Sequence, residues 1–555
     1  MQAARRPKMK YLKNALNKKQ SPQSQPIPGS AQVANSAGGY AFAVDDWTRL
    51  ARFLILGSEC GTYYVREQAL TLENVEAIQR CIVADGPRVV REIVAVSQSG
   101  RAPKNDPALF ALAVCAALGD EVTRRAGLAA LPQVARIGTH LFHFATCVDG
   151  MRGWGRGLRR AVACWYNAQD AEKLAYQVVK YQQRDGWSHR DLLRLSHPVP
   201  ASEQHFALYH WITQGWPGVG DSPHPDHALR LVWASERVKQ AGDVREVTAL
   251  IREYDLPREA IPTQWLNDPA VWEALLARMP MTALIRNLAT LTRVGLLSPG
   301  SEATGQVMAQ LGDIQRLRKA HVHPIAVLAA LKTYAQGHGE RGSNVWSPVA
   351  SVVDALDAAF YDAFGNVEAT GRRWLLALDV SGSMNGPAIA GIPGLTPRLG
   401  SAAMALLSAA TEPLHQIVAF SASAGGGYGG RWGGGESGLT PLTFSPRQRL
   451  DDVLRMTGDI PFGGTDCALP MVWALKNRVA ADVFVVYTDS ETWAGNIHPV
   501  QALRRYREGM GIPAKLVVVG MTSNGFSIAD PDDAGMLDVV GFDASTPQMI
   551  SDFAR

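Results

Sequence analysis

Trp374-Leu375-Leu376-Ala377-Leu378-Asp379-Val380-Ser381-Gly382-Ser383 carries the clearest structural signal in the chain. The apolar run 374–380 reads as a short strand buried on both faces, as the inner strands of a parallel sheet are. Asp379, Ser381 and Ser383 then place three hard oxygens on the turn at its C-terminal end, where open α/β sheets bind their ligands. On the C-terminal side, helical and strand-like patterns alternate. Helices are expected over 401–410, 449–456, 467–476 and 499–508, and strands over 416–421, 483–488, 515–520 and 537–541. This predicts a mostly parallel, doubly wound α/β domain over 366–555. Two stretches look inserted: 391–400, rich in Pro and Gly, and 425–438, glycine-dominated with one Arg and read as a flexible surface loop.

Upstream the period changes. Helical patterns occupy 72–81, 107–118, 120–136, 157–166, 171–182, 244–254, 269–279 and 281–291. Many antiparallel helices of this length suit an irregular helical-repeat array over 46–365. Residues 1–45 read as a basic, flexible tail and linker. The first twenty hold seven Lys/Arg and no acid, and 21–40 is rich in Pro, Ser and Gly. No apolar segment follows the basic residues, so a secretory signal is not expected. The longest nearly uncharged apolar run, 107–119, falls short of the roughly 20 residues that span a bilayer. The expectation is a monomeric cytoplasmic protein with no membrane partner.

Of 555 residues, 46% are hydrophobic and 19% charged, which excludes a disordered chain. The net charge of +4 hides a segregation. Residues 1–200 hold 27 Lys/Arg against 16 Asp/Glu, 201–370 hold 14 against 18, and 371–555 hold 14 against 17. A basic first part suggests a surface for a polyanion. Six cysteines lack CxxC pairing, and neither HExxH nor a phosphate-cradling GxxxxGK[ST] loop occurs, so zinc-framework and NTPase readings fail.

Two more oxygens belong with the 379–383 turn: Thr465, in a glycine-opened loop, and Asp489, at the end of the 483–488 strand. Hydroxyls with one or two carboxylates suit Mg²⁺ best, with Mn²⁺ and Ca²⁺ as alternatives. A sheet turn with capping serines is the plainer reading of the five-residue motif alone. In the basic part, Lys180 and Arg184 lie four apart on one expected helix. Ser188 and Asp191 form a capping-box pattern, after which Arg190, Arg194 and His197 share a face. His189 and His197 are imidazoles able to stack on bases, and Arg152, Arg156, Arg159 and Arg160 surround Trp154. An ordinary charged outer face is the alternative. Trp165, Trp233, Trp265 and Trp272 are expected in the core.

The set formed by Asp379, Ser381, Ser383, Thr465 and Asp489 resembles the metal-ion-dependent adhesion site of von Willebrand factor A domains. There the hydroxyls contact the cation, the aspartates act mostly through water, and one position stays open for a partner's acidic group. The strings 56–59, 61–68, 180–197, 463–467 and 520–526 closely resemble the Ro autoantigen family. That resemblance runs from about residue 46 to the end, but not through the basic tail or the two insertions. It implies a TROVE ring of HEAT-like helices with a positively charged hole, and an A domain. It also implies binding of structured noncoding Y RNAs outside and single-stranded 3′ ends of misfolded RNAs inside, association with a 3′ exoribonuclease, and no catalysis. The rival expectation is a cation-dependent protein–protein scaffold that docks an acidic side chain, with RNA incidental.

Overall fold

The computed structural model describes residues 22–555 apart from 60, 217–223, 225, 340–342, 364–367, 387, 390–391, 393, 423–437, 444–447, 450–451, 454, 457–459 and 461–462. The basic tail, nearly all of the glycine-rich insertion and much of the 449–456 helix expectation lie outside them.

Short strands β1 (Gln32–Ala34) and β2 (Tyr40–Ala43) open the described chain. Helices then run from Asp46–Leu56 to Ala350–Asp362, interrupted by a small hairpin, β3 (Gln183–Arg184) and β4 (Trp187–Ser188). The C-terminal part holds β5 (Trp374–Asp379), β6 (His415–Phe420), β7 (Leu439–Leu442), β8 (Val483–Thr488), β9 (Lys515–Gly520), β10 (Phe526–Ser527) and β11 (Met536–Val540). Its main sheet has the order β11-β9-β8-β5-β6-β7, all parallel except the β6–β7 pair. The doubly wound expectation therefore holds, with an antiparallel edge added. Period-two alternation gives β5 two cores: Leu376 and Leu378 join the core of the helical part, and Leu375 and Ala377 pack under the opposite layer with Met471 and Tyr506.

The helical array closes on itself. Nε2 of His323, at the cap of helix Pro324–Ala335, donates to the carbonyl of Arg101 at 2.9 Å, across 222 residues of chain. The Arg101 guanidinium pairs with Asp543 (Nε to both oxygens at 3.0 Å), so the closure point is also a contact with the A domain. A second joint is Arg52, wholly buried in helix Asp46–Leu56. It meets both Asp538 oxygens at 2.7 Å and donates to the Phe526 carbonyl at 2.8 Å. A Cβ at Gly520 would stand 2.9 Å from this guanidinium, which is why a side chain is absent there.

Two expectations are corrected here. Residues 22–43 are not a flexible linker. β2 pairs with both β1 and β10, and the fully buried Gln23 donates to Asp466 at 2.7 Å and to the Ile497 carbonyl at 2.8 Å. Asn35 donates to the Thr492 carbonyl at 2.8 Å. Composition misses such a strap because its anchors are single amide side chains answering remote loop groups. The second correction concerns helix 171–182, which ends at Lys180. Asp185 and Gly186 take φ of +52° and +81°, turning the chain into the β3–β4 hairpin. Asp-Gly is a strong hairpin signal, so the sequence contained the warning. Among the described residues no helix is long and apolar enough to cross a membrane.

Candidate functional sites

Parallel sheet topology brings the oxygen cluster together. Asp379 ends β5, Ser381 and Ser383 lie in the turn beyond it, and Asp489 follows β8, the strand paired beside β5. The loop holding Thr465 is drawn in by the Gly382 N–H, which donates to Gly463 at 3.3 Å. All five residues are at most 2% exposed. The Ser381 N–H donates to Asp379 at 2.9 Å, the Thr488 hydroxyl to its other oxygen at 2.6 Å, and the two serine oxygens are 3.1 Å apart. Ser383 also acts on the neighbouring Asp489 carboxyl, offsetting part of the effect of its burial. Thr465 is placed differently: its carbonyl accepts from Trp493 and Ala494, and its hydroxyl is not joined to the other four.

Sequence reasoning missed the buried neighbours of this cluster. Glu491 is 0% exposed, and Asn524 donates to the Asp489 carbonyl at 2.7 Å. Tyr64 faces both acids, and burial together with the Asp489 and Glu491 charges pushes its phenol up to about 12. Both Tyr64 and Asn524 sit in strings already conspicuous in the sequence, and contact with the sheet end is what makes them part of the site. Among the described residues no Lys or Arg forms an ion pair with Asp379, Asp489 or Glu491. Desolvation, joined at Asp489 by the charges of Asp379 and Glu491, holds these carboxyls above the ordinary range. Buried carboxylates beside convergent hydroxyls are the donor set a hard divalent cation fits, and the charge of the buried Arg398 offsets part of the burial cost at Asp379.

The ten basic residues singled out above go to separate places. Arg156, Arg159 and Arg160 are exposed on helix Arg156–Asn167, and Arg190 and Arg194 on helix His189–Ser196, which packs beside it. His197 is exposed at the left-handed cap of that second helix, and the Ser188–Asp191 capping box is present. Trp154 stacks on Trp187 at 5.3 Å, joining the 152–160 segment to the hairpin. Among the described residues none of Arg156, Arg159, Arg160 or Arg190 has a carboxylate partner. Arg152 is exposed but donates to the Ala117 carbonyl at 2.8 Å.

Arg184 lies elsewhere, on the wall of a cavity of about 890 Å³ inside the helical circuit. Lys104, Arg136 and Arg286 line the same cavity against Glu59, Asp106 and Asp185. Contacts with Cys147 and Asp185 push His143 on this wall up to about 9 against the pull of burial, adding positive charge at neutral pH. Lys180 faces a different hollow of about 340 Å³, with Arg252, Arg258 and Arg278, and its ammonium lies 5.3 Å from the rings of Tyr176 and Tyr181. Lys180 and Arg184 therefore share no helical face. His189 is the clear correction. It is 2% exposed, its Nδ1 bonds the Tyr166 hydroxyl at 2.8 Å, and burial lowers its pKa to about 3. A ring so enclosed has no face for a base. Trp165, Trp233 and Trp272 are core residues as expected, and Trp265 is partly buried.

Comparison with known proteins agrees with this architecture. The TROVE domain family matches residues 33–215 and 253–332, and the Ro60 vWA domain family matches 373–554. RNA-binding protein RO60 of Deinococcus radiodurans is 42% identical over 549 residues, 99% of each chain. RNA-binding protein RO60 of Caenorhabditis elegans is 36% identical, covering 96% of this chain and 92% of its own. The crystal structure of Deinococcus radiodurans RO (RSR) protein superposes with a TM-score of 0.66 at 41% identity, covering 92% of this chain and 99% of that one. With its closed helical array and its A domain, the chain belongs to the RO60 family of TROVE–vWA proteins.

Proposed function

We propose that this chain is an RNA-binding protein that works by holding RNA rather than by catalysis. Small structured, Y-like noncoding RNAs lie on the exposed basic helices, and single-stranded 3′ ends of misfolded RNAs enter the cavity of the helical circuit. The observation that carries this reading is the set of exposed guanidinium groups on two adjacent helices, Arg156, Arg159, Arg160 and Arg190, with no carboxylate partner among the described residues. Free guanidinium forks grip phosphates, and each phosphate neutralised releases a counterion. The relatives named RNA-binding proteins support the same reading. The cavity carries four Lys/Arg against three carboxylates, so an entering strand is held by specific contacts more than by a strong field.

In this reading the protein forms a cytoplasmic ribonucleoprotein for noncoding-RNA quality control and passes RNA to a 3′ exoribonuclease. Asp379, Ser381, Ser383, Thr465 and Asp489 would hold Mg²⁺, whose charge supplies a docking point for an acidic protein side chain. The test is the affinity for a structured RNA at two salt concentrations. A steep fall with rising salt and intact labelled RNA after incubation with Mg²⁺ are expected. Salt-independent binding, or shortened RNA, would refute the reading.

A further inference from the structure

Thr139, His140 and His143 of helix Gly138–Arg152 line the cavity of the helical circuit. Cys147 continues their face one turn further on and is half-buried. Nε2 of His143 lies 3.9 Å from its Sγ. On the other side of the ring, Nδ1 lies 3.0 Å from Oδ2 of Asp185, at the tip of the β3–β4 hairpin. Asp185 takes a φ of +52° in that turn, and its second oxygen is met by Nε of Arg184 at 3.4 Å. The imidazole and the carboxylate are 33% and 29% exposed, so small solutes in the cavity reach the relay.

Sulfur, imidazole and carboxylate in this order are the parts of an activated thiol: the imidazole takes the thiol proton and the carboxylate fixes the ring. The contact with Cys147 is the main cause that lifts His143 to about 9. At neutral pH the ring therefore keeps the shared proton and leaves the sulfur its electron pair. Acyl transfer does not suit the place. Cys147 stands inside the helix, where backbone N–H groups are spent on the helix itself and are not free to hold an oxyanion. A hydroperoxide needs no such hole, because its leaving oxygen asks only for a proton. We propose that Cys147 is a peroxide-reactive thiol beside the cavity of the helical circuit, served by His143 and positioned through Asp185. The sulfur attacks one peroxide oxygen as the O–O bond breaks and an S–O bond forms. Sulfur is oxidised by two electrons to the sulfenic acid and the peroxide is reduced. The leaving hydroxide takes the former thiol proton from Nε2 and becomes water. This chemistry depends neither on the RNA reading nor on the cation cluster.

The test treats the full chain with hydrogen peroxide and dimedone, which traps sulfenic acids, and follows each cysteine peptide by mass spectrometry. Cys164, on helix Arg156–Asn167, is exposed, so exposure alone predicts that it reacts before Cys147. The relay predicts the reverse order. Cys164 labelled as fast as Cys147, or faster, overturns the proposal. His143→Ala should slow Cys147 about tenfold or more, leave Cys164 unchanged, and recover part of the rate with added imidazole. An unchanged Cys147 rate, or a loss that imidazole does not relieve, also overturns it. Asp185→Asn suits the left-handed turn and removes the charge. It should slow Cys147 less and bring the His143 titration, followed by NMR of labelled histidine, down from about 9. A titration that stays in place overturns the positioning role of Asp185. Should His143→Ala fail to fold, Asp185→Asn and the order of the two cysteines decide.

Discussion

The oxygen cluster of the A domain and the basic surface of the helical array are built on opposite terms. In the cluster every group is enclosed, and its position is set by strand ends that the sheet cannot move. On helices Arg156–Asn167 and His189–Ser196 the arginines stand in water, and their places depend on where each helix starts and stops. Enclosed polar groups are costly to disturb and serve one geometry. Exposed ones are individually cheap and act together through charge.

The sharpest way to break this contrast is to remove one arginine of each kind. Arg52→Ala leaves Asp538 without its buried partner and should cost about 3–5 kcal/mol in urea unfolding. Arg159→Ala should stay within about 0.5 kcal/mol. Equal losses would remove the distinction.

Histidines extend it along the pH axis. Burial lowers His140 and His189 to about 3 and His323 to about 4, so the folded state keeps them neutral. The unfolded chain takes up those protons near pH 6.5. Stability is therefore complete above that pH and is lost as pH falls toward 4, by about 3 kcal/mol for His323 alone. The urea midpoint should drop steadily between pH 7 and 5; a level midpoint would contradict the enclosed placement. His143 acts in the other direction, stabilising at neutral pH and losing its effect as pH rises toward 9.

The smallest effect expected is on RNA itself. Asp379→Ala should abolish Mn²⁺ binding and leave RNA affinity within about twofold, since the two regions share no ligand. A large RNA defect in folded protein would show them coupled.

The same contrast explains what could be read from the amino-acid order. β8 and β9 match their expected bounds residue for residue, as does helix Val244–Tyr254, because each follows one period between clear breaks. Asp379, Ser381, Ser383 and Asp489 were legible because strand ends in a parallel sheet converge by topology. Glu491, Tyr64 and Gln23 were not, because their roles come from contacts with distant segments. Lys180 and Arg184 fall on one expected helix only when the spacing runs on past Tyr181, and the Asp185–Gly186 turn parts them. His189 shows the limit of residue type alone: beside Arg190 it looks like a contact residue, yet the helix face turns it inward against Tyr166.

The most direct test of the central claim is where a bound RNA end lies. A structured RNA with a single-stranded tail ending in thiouridine can be irradiated in complex with the full chain and the crosslinked peptides identified by mass spectrometry. Entry into the helical circuit predicts crosslinks to the cavity wall around Arg136–His143 and Arg286. Crosslinks confined to the A domain or to the outer helices would contradict it.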